Sequence, residues 1–226
     1  MSEIRENVLH MMERIEKAAQ KGGRDPKDIR LVAVSKTVDS VRAREAIEAG
    51  VTILGENYVQ EAQKKIEEIG KSISWHFIGH LQSNKAKVAV RLFDVIHSVD
   101  SISLAEELNR RAQQSKQKIP VMIEVNLSGE TTKFGTEEEK VSALAQKMLS
   151  LSSVSLEGLM TMPPYFDDPE MSRPYFVQLR ELKEKMVKGG IPLKELSMGM
   201  SNDFEVAIEE GATYVRVGTA IFGPRK

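Results

Sequence analysis

Residues 46–52 read AIEAGVT, and residues 207–213, near the other end of the chain, read AIEEGAT. Each stretch has the pattern of a helix end, a glycine that suits a helix C-cap, and the start of a strand. The same helix–glycine–strand unit is therefore used twice. Two copies do not make a solenoid repeat, but they indicate that helices and strands alternate along this chain.

Outward from these two units, short apolar runs alternate with amphipathic segments over the whole sequence. Eight runs predict strands, at 31–35, 51–54, 75–78, 93–97, 120–125, 156–160, 195–198 and 213–217. The segments between them predict helices, at 41–49, 60–69, 104–113, 141–149, 175–187 and 204–210. A further helix precedes them all, with apolar residues at helical spacing from Ile4 to Ala18 and a glycine pair at 22–23 that ends it.

This alternation predicts parallel strands joined by right-handed crossovers. Eight such units close into a (β/α)₈ barrel, and the 226 residues of the chain are near the typical length of about 250. We therefore predict an α/β fold, a TIM barrel with an extra N-terminal helix, as a single domain over residues 1–226. The alternative is a doubly wound open sheet, which usually has fewer strands. For a nucleotide that sheet needs a G-x-G-x-x-G turn, and none follows the first strand.

The composition excludes several classes of protein. With 32 basic and 33 acidic side chains, the charge balance gives no case for a nucleic-acid or membrane partner. The chain has no cysteine, so disulfides, thiolate zinc sites and cysteine nucleophiles are excluded. The charged N-terminus lacks the apolar core of a signal peptide, and no apolar stretch approaches the length of a membrane span. We therefore expect a cytoplasmic protein.

Lys36 ends the first apolar run, LVAVSK at 31–36. On residue type alone it is a solvated lysine at a strand end. In a barrel, however, functional residues lie at the C-terminal ends of the strands. A lysine amine that is desolvated there becomes available for imine formation.

Two turns rich in small residues follow the last two predicted strands, at 200–202 and 218–220, where barrels often hold a phosphate. Ser201 and Thr219 offer hydroxyl groups, and Gly218 lets backbone N–H groups approach an anion. Either turn alone is more typical of ordinary loop structure, because Ser, Asn and Gly are common turn residues. Combined with Lys36, they predict pyridoxal 5′-phosphate (PLP), bound covalently as a Schiff base.

Arg216 is the candidate partner for the ring nitrogen of PLP, which needs a carboxylate or an arginine. It lies within an apolar strand, two residues before the second turn. A strand advances about 3.3 Å per residue, so Arg216 would lie several ångströms below the phosphate, where a pyridine ring would extend. The alternative is an ion pair inside the barrel with Glu124 or Glu56.

Polar residues after the second and third strands complete the candidate site. Asn57 and Tyr58 follow the second strand and should face the site. Further candidate polar contacts follow the third strand, at His80, Gln82, Ser83 and Asn84. His76 and His80 are four apart, which would indicate a metal pair on a helix. On a strand that runs into a loop it does not, so we predict no metal site.

These residues belong to long motifs spread over nearly the whole chain: VSK at 34–36, GENY at 55–58, HFIGHLQSNK at 76–85, GLM at 158–160, LSMGMS at 196–201 and VRVGTAIFG at 215–223. Together they closely resemble the pyridoxal phosphate homeostasis protein family, a group of single-domain relatives of the alanine racemase barrel. The motifs are ordered and evenly spread, which makes the resemblance specific.

The resemblance implies a role for each candidate residue. The lysine matching Lys36 carries PLP, and the arginine matching Arg216 faces the ring nitrogen. The residues matching Ser201, Gly218 and Thr219 hold the phosphate, and Asn57 lies beside the ring. The family keeps PLP and amino-acid pools balanced and has no robust amino-acid-converting activity. The resemblance therefore implies a non-enzymatic PLP carrier; we expect a monomer with apo forms of PLP-dependent enzymes as acceptors.

Two alternatives stay open. One is a PLP-dependent racemase or lyase acting on a small amino acid, and the other is a barrel that binds a different phosphorylated metabolite. Alanine racemases add a C-terminal β-domain and receive a tyrosine base from a second subunit. Because this sequence stops at Lys226, we expect that domain to be absent. A racemase needs an acid or base on each face of the α-carbon, and one face lacks its known supplier here.

Overall fold

The computed structural model describes residues 2–130 and 133–224. Eight parallel strands form a closed barrel in chain order, and pairing between the first and the last completes it. The strands are β1 Arg30–Val34, β2 Ile53–Glu56, β3 Ser74–Phe77, β4 Val95–Val99, β5 Ile119–Glu124, β6 Val154–Met160, β7 Glu195–Ser197 and β8 Tyr214–Val217. The predicted barrel is confirmed and the open sheet is wrong. Positions 1, 225 and 226 of the predicted domain lie outside the described residues.

The helices surround the barrel: α1 Glu3–Lys21, α2 Ser40–Glu48, α3 Val59–Ile69, α4 Ala86–Leu92, α5 Ile102–Gln114, α6 Glu138–Leu149, α7 Arg173–Lys188, α8 Phe204–Glu209 and α9 Thr219–Phe222. Every predicted helix is present. The sequence analysis missed α4 and α9, which have 7 and 4 residues and are too short to show a helical period. In the described ranges, no helix has both the length and the apolar character needed to cross a membrane.

The second and fourth predicted strands begin two residues too early because an apolar residue belongs to the preceding helix end. The N–H of Val51 donates to the carbonyl of Ala46 (3.0 Å) and that of Phe93 to Ala89 (3.0 Å). These bonds close the ends of α2 and α4 rather than join the sheet. A shift of two residues keeps each side chain on its predicted face.

Side chains alternate between two apolar layers. Along β1, Leu31 and Ala33 belong to the large core between strands and helices, while Val32 and Val34 point into the barrel. The interior cluster is small: Val32, Val34, Ile53, Ile78, Met122, Met160 and Tyr214. The rest of the interior is polar, which leaves room for the buried groups described below.

Helix α1 forms part of the barrel wall. It packs against α8, α9 and α2, and Met11 on its inner face is 1% exposed. Just after the helix, Arg24 donates to the carbonyls of Ile208 (2.9 Å) and Ala212 (2.6 Å). Because α9 is a single turn, α1 covers the surface that a long helix after β8 would otherwise cover.

Two stretches that connect strands to helices, at 128–139 and 163–169, follow β5 and β6 and form loops there. Helix α6 begins at Glu138, so the last two positions of the first loop are helical. Positions 131 and 132 of that loop lie outside the described residues. Both loops therefore stand at the C-terminal ends of the strands.

Candidate functional site

A cavity of about 520 Å³ opens at the C-terminal ends of the strands. All six predicted site residues line it: Lys36, Asn57, Ser201, Arg216, Gly218 and Thr219. Val34, Ile78 and Met162 add apolar wall, and Tyr165 and Phe166 of the loop after β6 lie at its edge. A cavity of this size and mixed lining is typical of a small-molecule or cofactor site.

Lys36 lies in the turn directly after β1 and is half-buried. The next residue, Thr37, has a φ of 63°, in the left-handed region that non-glycine residues rarely adopt. Its N–H donates to the carboxylate of Glu61 on α3 (2.6 Å). The turn that carries Lys36 is therefore held in an uncommon conformation by a side chain from a neighbouring helix.

A buried lysine supports the same turn from below. The ammonium of Lys65 on α3 donates to the carbonyl of Ser35 (2.6 Å), to Glu56 (2.6 Å) and to Glu61 (2.9 Å). The hydroxyl of Ser35 also donates to Glu56 (2.6 Å). Burial raises the pKa of Glu56, while the Lys65 charge opposes that rise. A charge pair of this kind resists separation because either partner alone would be buried and uncompensated.

Sequence reasoning did not find Lys65, although a signal existed. Lys65 falls three residues after Ala62 and next to Ile66, on the buried face of α3. A lysine at such a position needs an acidic partner. Its partner is Glu56, so the alternative in which Glu56 pairs with Arg216 is wrong.

The loops after β7 and β8 converge at Ser201. Its Oγ accepts long hydrogen bonds from the N–H groups of Gly218 (3.3 Å) and Ala220 (3.5 Å). These N–H groups therefore converge on the Ser201 hydroxyl oxygen, at the wall of the cavity. Thr219, between them in sequence, is exposed at the cavity. Two hydroxyls and two convergent N–H groups are the donors that an anion requires.

A glycine shapes the first of these loops. Gly199 has a φ of 90°, and a Cβ there would lie 2.5 Å from Cβ of Ala207 and 2.9 Å from Cα of Phe204. The following residue, Met200, donates its N–H to the carboxylate of Asp203 (2.7 Å). Only glycine fits this approach of the β7 end to α8, which fixes where Ser201 enters the cavity.

Asn57 leaves β2 and enters the cavity wall. Among residues 2–130 and 133–224, its Oδ1 atom is buried without a hydrogen-bond partner. Its backbone packs closely on Gly79, where a Cβ would lie 2.5 Å from the Asn57 carbonyl oxygen. A buried acceptor without a partner is costly unless a ligand supplies the donor.

Arg216 lies at the floor of the cavity and is 3% exposed. Its guanidinium donates through Nη1 to Ser197 Oγ (2.6 Å) and through Nη2 to the carbonyl of Thr161 (2.9 Å). Burial lowers the pKa of Arg216 to about 10, and the carboxylate of Glu124 opposes that shift. Burial likewise raises the pKa of Glu124 to about 7, against the Arg216 charge. Glu124 thus acts on Arg216 through its electric field, while the hydrogen bonds go elsewhere.

The two histidines that are four apart lie in different surroundings. His76 is buried inside the barrel, with Nδ1 2.9 Å from Nε2 of His97. His80 stacks on Phe134 at the mouth, with ring centroids 3.9 Å apart. His97 Nδ1 lies 2.8 Å from Ser197 Oγ. Sequence reasoning singled out neither His97 nor Ser197, because their contact depends on how strands β4 and β7 face each other across the barrel.

The cavity combines an amine, two loops that present hydroxyl and N–H groups, a fixed guanidinium and a buried amide oxygen that has no hydrogen-bond partner among the described residues. These groups fit a phosphorylated ring that carries an aldehyde, since each polar part of such a ligand meets a group of opposite character. The predicted cofactor, PLP, has this composition. The residues present therefore fit it.

Comparison with known proteins agrees with this geometry. The family model described as alanine racemase, N-terminal domain, matches residues 2–226. The pyridoxal phosphate homeostasis protein of Aquifex aeolicus is 46% identical over 223 residues, which cover 98% of each chain. An unknown protein from Bifidobacterium adolescentis has a structure with a TM-score of 0.92 and 39% identity, over 97% of this chain and 94% of that one.

A structure of PipY from Synechococcus elongatus PCC7942 has PLP bound. It matches with a TM-score of 0.83 and 37% identity, over 93% of this chain and 100% of that one. The likeness in sequence and in structure extends over almost the whole length of each relative. The chain belongs to the pyridoxal phosphate homeostasis protein family, within the wider family that shares the alanine racemase N-terminal domain.

Proposed function

We propose that the protein binds PLP in the 520 Å³ cavity, holds it as a Schiff base on Lys36, and acts in PLP homeostasis and supply without robust turnover. One observation carries the proposal: an amine, a fixed guanidinium and two anion-binding loops meet in one cavity. The names of the relatives and the PLP bound in PipY support it. The acceptors are apo forms of PLP-dependent enzymes, which a PLP-transfer assay tests directly.

Each residue has one task in this proposal. Lys36 binds the aldehyde carbon, and Ser201, Thr219 and the backbone at Gly218 hold the phosphate. Arg216 faces the ring nitrogen from the cavity floor. Asn57 lies beside the ring, where its unpartnered oxygen accepts a hydrogen bond.

The nature of Arg216 supports a carrier rather than a vigorous catalyst. PLP withdraws electrons best when its ring nitrogen is protonated, and a carboxylate partner favours that proton. Arginine is charged and offers only donors, so it disfavours a second positive charge beside it. The ring is then a weak electron sink, which suits a protein that holds the aldehyde without consuming amino acids.

Borohydride reduction followed by peptide mapping tests the assignment of Lys36. We expect the pyridoxyl label on the peptide that contains Lys36, and we expect Lys36→Ala to lose the visible chromophore but keep its circular dichroism. Lys85→Ala is the control and should keep both the label and the chromophore. A label on Lys85 or Lys133 would show that the assignment is wrong.

Hydrogen exchange tests the absence of robust turnover. The holo-protein is incubated with L- and D-alanine and with serine in deuterated water, and deuterium at the α-carbon is followed by mass spectrometry. We expect exchange well below enzyme-like rates, which are on the order of 1 s⁻¹ or faster. Exchange at enzyme-like rates would support the racemase or lyase alternative instead.

A further inference from the structure

A continuous chain of hydrogen bonds crosses the barrel interior from the cavity floor to the opposite end. Its members come from strands β8, β7, β4 and β3 and from the loop before β4. In order, they are Arg216, Ser197, His97, His76, Ser74 and Asp94. No single strand contains more than two of them, so this series of hydrogen bonds, the relay, exists only because the barrel closes.

The upper half of this relay is short and fully buried. Arg216 Nη1 lies 2.6 Å from Ser197 Oγ, which lies 2.8 Å from His97 Nδ1. His97 Nε2 then lies 2.9 Å from His76 Nδ1. Ser197 and His97 are both 0% exposed, so solvent does not compete for these contacts.

The lower half ends on a carboxylate. His76 Nε2 lies 3.1 Å from Ser74 Oγ, and Ser74 Oγ lies 3.3 Å from a carboxylate oxygen of Asp94. The same oxygen accepts the N–H of Trp75 (2.8 Å). The relay thus has a permanent donor at one end and an acceptor at the other.

These end groups allow all the bonds between them to run in one direction, and this is the arrangement that we assign. Arginine has only donors, so Ser197 Oγ accepts from Arg216, and its single proton is then available to His97 Nδ1. In this arrangement His97 carries its proton on Nε2 and donates it to His76 Nδ1. His76 in turn donates from Nε2 to Ser74, which donates to Asp94. Bonds aligned in one direction polarise and strengthen one another.

The relay works only when both histidines are neutral, because a protonated imidazole has two donors and no acceptor. Burial lowers the pKa of His76 to about 3 and holds that of His97 well below its ordinary value. The positive charges of Arg30 and Arg216 act on His97 in the same direction. The ring of Tyr214 packs edge-on against both histidines, at centroid distances of 5.5 and 5.3 Å.

We propose that His97 and His76 are positioning residues, which hold the Arg216 guanidinium in one orientation at the cavity floor through a hydrogen-bond relay of fixed direction. With Nη1 tied to Ser197 and Nη2 to Thr161, the plane of the guanidinium cannot rotate. The relay itself is independent of any ligand. Only its effect on the ring nitrogen of PLP rests on the proposed function.

Nuclear magnetic resonance of the unliganded protein tests the relay directly. With ¹⁵N-labelled histidine, we expect both rings to be neutral with the proton on Nε2, unchanged between about pH 5 and 9. His10→Asn, a variant of an exposed residue on α1, assists assignment without touching the barrel. A proton on Nδ1 of either ring, or titration of either ring within this range, would overturn the proposal.

A second test breaks the relay at two points. Ser197→Ala removes one oxygen atom, and we expect His97 to gain a population protonated on Nδ1, since nothing then donates to that atom. His97→Phe keeps an aromatic ring, slightly larger than imidazole, but removes both links. We expect it to bind PLP about tenfold more weakly, equivalent to one hydrogen bond to a charged group, with a shifted absorption band of the bound PLP. His10→Phe is the matched control.

The outcomes separate the relay from the proposed function. If the unmodified protein binds no PLP, the proposed function fails, and the histidine tautomers still decide the relay. If His97→Phe does not fold, Ser197→Ala provides the same comparison with a smaller change. Parent-like affinity and an unshifted band in a folded relay variant would show that the histidines only fill space.

Discussion

The Ser201 hydroxyl lies where the loops after β7 and β8 meet, and it accepts from two backbone N–H groups. Ser201→Ala removes a hydroxyl that we assign to the phosphate, and Thr219→Ala removes the second. A hydrogen bond to a charged acceptor contributes about 1.5–3 kcal/mol, so each variant should bind PLP about tenfold or more weakly. Fluorescence titration with PLP measures the change.

Pyridoxal, which lacks the phosphate, is the control ligand for this prediction. It should bind the two variants and the parent equally. If the parent binds pyridoxal as tightly as PLP, the two loops do not form the phosphate site.

The buried carboxyl group of Glu124 should make the stability of the protein depend on pH. Burial raises its pKa from 4.5 to about 7, so the folded protein keeps a proton that the unfolded chain has lost. Stability therefore falls as pH rises from about 4.5 to 7, by on the order of 3 kcal/mol from this residue. Glu124→Gln cannot ionise, so its stability relative to the parent should rise over the same interval.

Urea denaturation of the unliganded protein at pH 5 and pH 8 measures this effect. The free energy of unfolding of Glu124→Gln minus that of the parent should be more positive at pH 8 than at pH 5. The exposed Glu13→Gln should show no such change between the two pH values. A constant difference for Glu124→Gln would show that Glu124 is ionised throughout.

At the scale of elements, two reasons for a glycine in the turn from β7 into α8 can be measured separately. One is the positive φ of Gly199, and the other is the close approach of neighbouring atoms. Gly199 and Gly50 both have positive φ, 90° and 109°, but only at Gly199 would a Cβ meet other atoms. Gly50→Ala should therefore cost only the conformational term, about 1–2 kcal/mol. Gly199→Ala adds overlap with Ala207 and Phe204 and should cost about 2–5 kcal/mol.

Gly199→Ala should also weaken PLP binding, because the turn positions Ser201. Gly50 lies at the end of α2, far along the chain from the loops after β7 and β8, and Gly50→Ala should keep the parent affinity. Denaturant melts and a PLP titration on the same samples give both quantities. Equal stability of the two variants would show that the close approach at position 199 relaxes easily.

The sequence reveals elements better than it reveals contacts between them. Gly50 and Gly211 mark helix ends, and Lys36 and Ser201 stand at strand ends, so their common location follows from the barrel alone. Helix α4 escaped prediction because seven residues hold only two turns. Lys65 escaped although its place on the buried face of α3 was a signal, since its partner Glu56 lies on the strand just before that helix. His97 escaped because its contact with Ser197 joins strands β4 and β7, which are far apart in the sequence.

At the scale of the whole molecule, substitutions in α1 test whether this helix is part of the barrel wall. Met11 on its inner face is 1% exposed, while the adjacent Met12 is 37% exposed. Met11→Ala should destabilise the protein by about 2–5 kcal/mol because it leaves a cavity in the core that α1 shares with the barrel. Met12→Ala is the matched control and should change stability by no more than about 0.5 kcal/mol.

Thermal and urea unfolding of the two variants measure the difference. Met11→Ala should unfold in one transition, since α1 and the barrel share one core. A separate early transition with the barrel intact would show that α1 is an accessory helix and not part of the wall.

The contacts of α1 also bear on how the chain is made. Asn7 donates to the carbonyl of Ile221 (3.0 Å), and β1 pairs along its length with β8. Helix α1 therefore meets α8 and α9, two of the helices that it packs against, only after the residues that form them have been synthesised. Until then the part of its apolar stripe that faces them is exposed, and synthesis passes through a stage in which the nascent chain depends on chaperones or on speed to avoid aggregation.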